Sequence, residues 1–431
     1  MNKEMRKKLI ELIKNPFIKN VTTVASGTVF AQFISIIFAP LITRLYGPEV
    51  FGILGVFTAS SAIVITVGSL TYQIAIVLPK KDDDAKAIAA LSLIIAALLS
   101  SVLALILFLF RKPIISLLHL EAISSFVLVI PVFIFFSACN KIAEQWIIRT
   151  GQFKKKARVA IAQALVINST KSGIGLWYPA AVVLVSLTTL GTLLHALMLS
   201  WTRSIKKQTF NKLKSAPWLT ILRMKQVARR YKDFPLYRAP QALLGATTKQ
   251  LPLIIIASFF GPVYAGFYTL GQRVIKSPSG LISDSVGKVF YPWISKAFNE
   301  GKNIKPILIK ATLVLSGIGI IPLVIVIIFG PTLFGFIFGN EWVDAGIYAR
   351  WLSVWIYFDF IRVPTIHTIP VIGIQGFYLF YSTISSIIRL SSFILVAKIT
   401  HDEILSLAIF CIVSSIFKFI LIAIVIKKSG S

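Results

Sequence analysis

Apolar stretches of about twenty residues recur along the chain, separated by short clusters of charge, glycine or proline. A helix of that length, rising about 1.5 Å per residue, crosses a hydrocarbon layer of roughly 30 Å. The pattern predicts twelve spans, at 21–43, 52–77, 87–110, 122–148, 158–177, 179–201, 239–260, 263–295, 306–329, 345–363, 376–397 and 404–426. The stretch from Phe259 to Lys305 is the least ordinary. It opens on a Gly-Pro turn and continues as a helix carrying Arg273, Lys276, Asp284 and Lys288. At about 100° per residue these four fall within roughly one third of the circumference. A charged stripe on a membrane helix has to face protein or water.

Composition agrees: the chain of 431 residues is 56% hydrophobic, with a mean hydropathy of +0.82. The expected class is an all-α, polytopic membrane protein. No cleavable signal is expected, because the charged first 20 residues lead into an apolar run that starts near Val21 and outlasts a signal peptide. Cys139 and Cys411 both lie in apolar runs and read as small buried residues rather than a disulfide.

The net charge of +29 raises the question of nucleic acid, and its placement answers it. With both termini on one side, the segments of that side hold 30 of the 45 Lys and Arg, while the opposite loops hold five: Arg44, Arg111, Lys112, Lys171 and Lys398. The rich side is cytoplasmic by the positive-inside rule, and its charge suits an anionic leaflet. No nucleic-acid partner is needed. Asp82–Asp84 stand at a cytoplasmic helix start, where carboxylates complement the helix dipole. A metal site there is the poorer reading, since three consecutive helical residues cannot face one ion. His195, on an apolar helix, reads as a packed, hydrogen-bonded histidine ahead of a proton relay.

The expected domains are a basic interfacial lead-in (1–20), a six-helix bundle (21–201), a basic cytoplasmic linker (202–238), a second six-helix bundle (239–426) and a short cytoplasmic tail (427–431). The linker carries eleven Lys and Arg, and its segment PWLTILRMKQVARRY has apolar residues at helical spacing. It reads as a helix on the inner membrane surface or as a solvated connector. The turn Gly47-Pro48 with Gly52 recurs 214 residues later as Gly261-Pro262 with Gly266, and Pro113 and Pro331 are placed in matching outer loops. Six spans per half bring both halves in from the cytoplasm, which makes them parallel repeats around a central cavity.

Ten Lys and Arg remain within the spans: Lys141, Lys249, Arg273, Lys276, Lys288, Lys310, Arg350, Arg362, Arg389 and Lys418. Those near span ends can snorkel. Lys249, Arg273, Lys276 and Arg389 sit deeper or join the polar stripe, and four such cations exposed to lipid would cost about 10 kcal/mol on the insertion scale. These four are the candidate binding residues of a cationic, watery cavity, with phosphate or pyrophosphate as the matching ligand. Pairing across helices is the alternative for any one of them. Supporting candidates are Asp284 with Lys288 and Asp359 with Arg362, each spaced to pair along one helix. Arg44 either attracts an anion or snorkels. No metal site, cofactor or catalytic group is expected, and no nucleotide-binding fingerprint argues for direct use of ATP.

The segment YKDFPLYRAPQALLGATTKQLPLIIIASFFGPVYAGFYTLGQRVIKSPSGLISDSVGKVFYPWISK closely resembles the second half of bacterial polysaccharide-repeat exporters, the Wzx-type O-antigen and capsule flippases. FAPLITRLYGPEVFGILGVF and YQIAIVLPKKDDDA carry the likeness into the first half. That family shares a superfamily with multidrug exporters and lipid II flippases. The resemblance implies two six-helix bundles around a central cleft in the bacterial inner membrane. It also implies movement of an undecaprenyl-diphosphate-linked oligosaccharide from the cytoplasmic to the periplasmic leaflet, among membrane lipids and other polysaccharide assembly proteins. Tyr268, Leu270 and Arg273 match the family's Tyr-x-Leu-x-x-Arg segment. Lys249 stands at a polar position that varies between members.

Three other readings compete. A multidrug exporter of the same superfamily would use acidic groups for cationic drugs, the opposite sign to the deep charge here. A major-facilitator carrier should show G-x-x-x-D-R-x-G, which PKKDDDAK lacks. A glycan polymerase or ligase should carry a sizeable external loop, whereas the longest loop here is basic and cytoplasmic.

Overall fold

The computed structural model describes residues 16–118, 121–201 and 217–429. The lead-in up to residue 15, the linker residues 202–216 and the last two residues lie outside them. Among the described residues there is no strand. The α-helices in order are α1 (Pro16–Ile65), α2 (Asp82–Leu109), α3 (Arg111–Leu118), α4 (Ile130–Arg149), α5 (Phe153–Gly175), α6 (Ala181–Ser200), α7 (Pro217–Arg230), α8 (Ala239–Phe260), α9 (Pro262–Asn299), α10 (Lys305–Phe338), α11 (Val343–Ile361), α12 (Val363–Thr368), α13 (Gln375–Thr400) and α14 (Glu403–Lys428).

Among the described residues, eight helical stretches are long and apolar enough to cross a membrane. One of them, Ser26–Ile65, has 40 residues. It holds two expected spans in series, across a kink where Gly47 takes φ 67°. The helices α5, α9 and α11 are not among the eight, because their polar and charged residues lower their hydropathy. With those three added, every expected span has its helix.

The second span departs from expectation. It was expected to run to residue 77, but α1 stops at Ile65 and the chain turns through Leu70 and Thr71, both with left-handed φ, into a short 3-10 segment Tyr72–Val77. Thr71 Oγ1 donates to the Phe234 carbonyl (3.0 Å) and Tyr72 Oη to that of Ala228 (3.1 Å), so tertiary bonds replace the continuing helix. Lys141 donates to the Ile65 carbonyl (3.1 Å) and so closes the helix end. Pro113 and Pro331 also depart from expectation: each lies inside a helix, α3 and α10 respectively, rather than in a loop. At Pro331 the backbones of α10 and α11 meet, for a Cβ on Gly346 would lie 2.5 Å from the Gly330 carbonyl oxygen and the Pro331 Cα. Arg350 donates to the nearby Ile328 carbonyl (3.1 Å), and this packing carries the helix past the proline.

The described chain packs as two compact units. Unit 1 extends to Gln250, except for Tyr46–Gly55, which packs with the chain from Leu251 onward as unit 2. In unit 1 the linker segment is helical as expected, but α7 docks on protein. Val227 is buried against Tyr72, Ile76 and Ile88, with Met224 and Ala228 beside it. Arg223 binds Asp83 (3.3 Å) and Asp84 (3.0 Å), and Arg149 binds Asp82 (2.8 Å). The acidic run therefore serves as an anchor for two arginines as well as a helix start. His195 Nδ1 lies 2.7 Å from Asn140 Oδ1, the packed, hydrogen-bonded arrangement expected of it.

In unit 2 the two Gly-Pro turns cross. Gly47 and Gly261 take φ 67° and 100°, conformations open to glycine at little cost. A Cβ on Gly52 would collide with the Pro262 carbonyl oxygen, and a Cβ on Gly266 with that of Pro48. The contact is reciprocal at the same 214-residue offset. Phe51 and Phe267 flank it, both against the buried Trp342 with ring centroids 5.3 and 6.3 Å away. Gly52→Val and Gly266→Val are each expected to destabilise by about 1–3 kcal/mol, as overpacking does, read as a lower thermal unfolding midpoint of the purified protein. Gly317→Ala, where nothing lies within 4 Å of the new methyl, should leave the midpoint unchanged or raise it.

Candidate anion-binding cavity

A cavity of about 590 Å³ lies within unit 2, lined by α9, the end of α11 and α12. From α9 come Lys276, Ser283, Asp284 and Lys288, spaced so that one helical face looks into it. From α11 and α12 come Asp359, Arg362 and His367. Gly287 admits the imidazole, since a Cβ there would meet His367 Nε2. Beyond the cavity an apolar cluster of Phe290, Ile294, Leu308, Ile369, Leu421 and Val425 fixes α9, α10, α12 and α14 against one another.

Two of the lining side chains, Asp359 and Arg362, form an ion-pair network with Lys418 behind the lining. Asp359 Oδ1 accepts from Arg362 Nε (2.7 Å) and lies 2.6 Å from Arg362 Nη2. The same oxygen lies 3.0 Å from Lys418 Nζ, on α14. Lys418 is almost wholly buried, its side chain 6% exposed against 26% for Arg362 and 35% for Asp359. Its ammonium also donates to the Trp355 carbonyl (3.0 Å) and sits 4.7 Å from the Trp355 ring centroid, within cation–π range.

The expected pair of Asp359 and Arg362 is present. Asp284 and Lys288 line the cavity together without forming an ion pair. Of the four main candidates, only Lys276 lines the cavity. Arg389 is held by its own helix, donating through Nε to the Ser385 carbonyl and through Nη2 to Ser386 Oγ, both at 2.9 Å. Arg273 is exposed on α9, one turn before Lys276, and outside the lining. Lys249 and Arg44 belong to unit 1, both exposed. Lys418 and His367 were not singled out as site residues. Lys418 lies close to the middle of the 404–426 span, and its partner is 59 residues away in sequence, beyond the reach of any local pattern.

A multi-pass helical membrane protein with charge gathered on an internal wall is the class this fold and cavity define. Solved structures of that class are similar over nearly the whole chain. An inward-facing multidrug resistance MATE family transporter of the MOP superfamily aligns with TM-score 0.71 at 13% identity, covering 92% of this chain and 95% of that one. The lipid II flippase MurJ in an inward closed conformation aligns with TM-score 0.69 at 15% identity, covering 94% and 87%. An outward-facing MATE transporter of the same superfamily aligns with TM-score 0.58 at 14% identity, covering 97% and 98%. No curated protein matches by sequence. The family model for polysaccharide biosynthesis proteins matches residues 41–346, and the chain belongs to that family.

Water access and the sign of the field can be read together by cysteine labelling. In a Cys139→Ala background, Ser283→Cys is expected to react about tenfold faster with an anionic than with a cationic methanethiosulfonate of similar size, because a cationic cleft concentrates anions. Cys411, fully buried, should stay unlabelled.

Proposed function

We propose that this protein is a flippase that moves an undecaprenyl-diphosphate-linked oligosaccharide from the cytoplasmic to the periplasmic leaflet of a bacterial inner membrane by alternating access. The observation that carries the reading is that Lys276, Lys288 and Arg362 line one cavity. A diphosphate leaving the headgroup region needs replacement for its hydration, and cations in a partly dehydrated cleft supply it. Arg362 offers planar, two-pronged recognition of a phosphate, and the lysines act as point charges. The polyprenyl tail stays in lipid throughout, so the protein has only the polar head to accommodate. Family membership supports a role in polysaccharide assembly. The domain scheme of two bundles joined by a basic linker, with both termini cytoplasmic, fits the charge distribution. No covalent chemistry is required of the chain.

A multidrug exporter is the second reading, favoured by the MATE likeness, but an excess of cations in the cavity suits an anionic cargo. The deciding experiment uses cells lacking the protein. Lipid-linked oligosaccharide should accumulate on the cytoplasmic face, with surface polysaccharide lost. Cargo already on the outer face would instead place the defect in polymerisation or ligation, and unchanged glycan with new drug sensitivity would favour the exporter. Restored with Lys276→Ala, Lys288→Ala or Arg362→Ala, such cells should export less than about one tenth of the wild-type amount, the scale of one lost charge-assisted contact, with normal protein in the membrane. Lys249→Ala and Arg273→Ala, at two main candidates outside the lining, test whether anion binding involves more than the lining residues, and on the full cationic-cavity reading they also abolish export.

A further inference from the structure

We propose that Asp359 is an exchangeable counter-ion: Lys418 holds it in place so that Arg362 can leave it for a phosphate group entering the cavity. The inference rests on the reading of this cavity as an anion site. Its basis is the crowding at one atom. Arg362 Nε, Arg362 Nη2 and Lys418 Nζ all converge on Asp359 Oδ1, at 2.7, 2.6 and 3.0 Å. A carboxylate oxygen has two lone pairs, so three donors compete for it. Arginine binds a carboxylate most strongly as a fork across both oxygens, and that mode is absent here.

The two cations are not equally free to leave. Lys418 is 6% exposed and fixed by the Trp355 carbonyl and ring. Departing from Asp359 would strand a charge in the interior, which is strongly unfavourable. Arg362 is 26% exposed and lines the cavity. An incoming phosphate offers it the two-oxygen geometry that Asp359 does not, while Lys418 keeps the carboxylate neutralised. When the ligand departs, Asp359 takes Arg362 back. Lys418 is therefore a positioning residue that acts through Asp359 and never touches the ligand.

The test is a double-mutant cycle read by calorimetric binding of inorganic pyrophosphate to the full chain in phosphatidylcholine nanodiscs. Lys418→Met leaves Asp359 with Arg362 as its remaining cation and should weaken binding at least roughly tenfold, the low end for one charge-assisted hydrogen bond. Asp359→Asn releases Arg362 and should tighten binding. In the Asp359→Asn background the Lys418→Met change should have little further effect, and Lys418→Arg, which still holds Asp359, should stay near wild type. Equal weakening by Lys418→Met in both backgrounds would overturn the proposal, since Lys418 would then act on the anion directly. Absence of pyrophosphate binding by the wild type, or binding indifferent to Arg362→Ala and Lys288→Ala, would instead overturn the anion site itself. A second arm adds phosphatidylglycerol to the discs. If ordinary headgroup phosphate is the source, apparent pyrophosphate affinity falls in those discs and the fall disappears in Arg362→Ala. If the source is a diphosphate, phosphatidylglycerol leaves the affinity unchanged.

Discussion

A cation on a membrane-spanning helix has to find a partner or water, and the rest of this structure follows from how each one does so. Lys141 closes the end of α1 at the Ile65 carbonyl. Arg350 donates to the Ile328 carbonyl where Pro331 interrupts the α10 bonding pattern. Arg389 folds back on its own helix. Lys418 and Arg362 share Asp359. Lys276 and Lys288 line the cavity, and so does Arg362. Most of the buried charge is thus structural, and the part that remains open to a ligand is concentrated on one wall.

That concentration is moderated. Asp284 and Asp359 stand among the cavity cations and reduce the field. A carrier gains nothing from a site that holds its cargo indefinitely, because a ligand bound equally well in every state shifts no equilibrium. On the proposed reading, internal carboxylates compete with the cargo for the same cations and set the affinity low enough for release.

Much of the fold was legible in the sequence because length and hydropathy are local properties. All twelve spans have their helices, and α8 lies where the sequence put it. The misses are tertiary. The second span ended early because Thr71 and Tyr72 bond to the segment around Ala228 and Phe234, over 150 residues away. Pro331 reads as a helix breaker unless the contact between α10 and α11 is known. For the site, the stripe on α9 identified Lys276, Asp284 and Lys288, and short spacing identified Asp359 with Arg362. Helical period cannot say which of several cations shares a cavity. Arg273, one turn from Lys276, lies outside it, and Lys418 reaches Asp359 behind the lining through a pairing between helices that no local pattern encodes.

The segment Tyr46–Gly55 belongs by packing to unit 2, although its covalent neighbours on both sides belong to unit 1. Its partners Pro262, Gly266 and Trp342 are made more than 200 residues later. During synthesis, therefore, the first helix enters the membrane with this piece of its surface unpaired, and it stays so until α9 and α11 emerge. Unit 2 expressed alone would lack a strip of its own interior, and two separately expressed halves would recognise each other through that missing strip. The chain is built so that its last-made part completes its first.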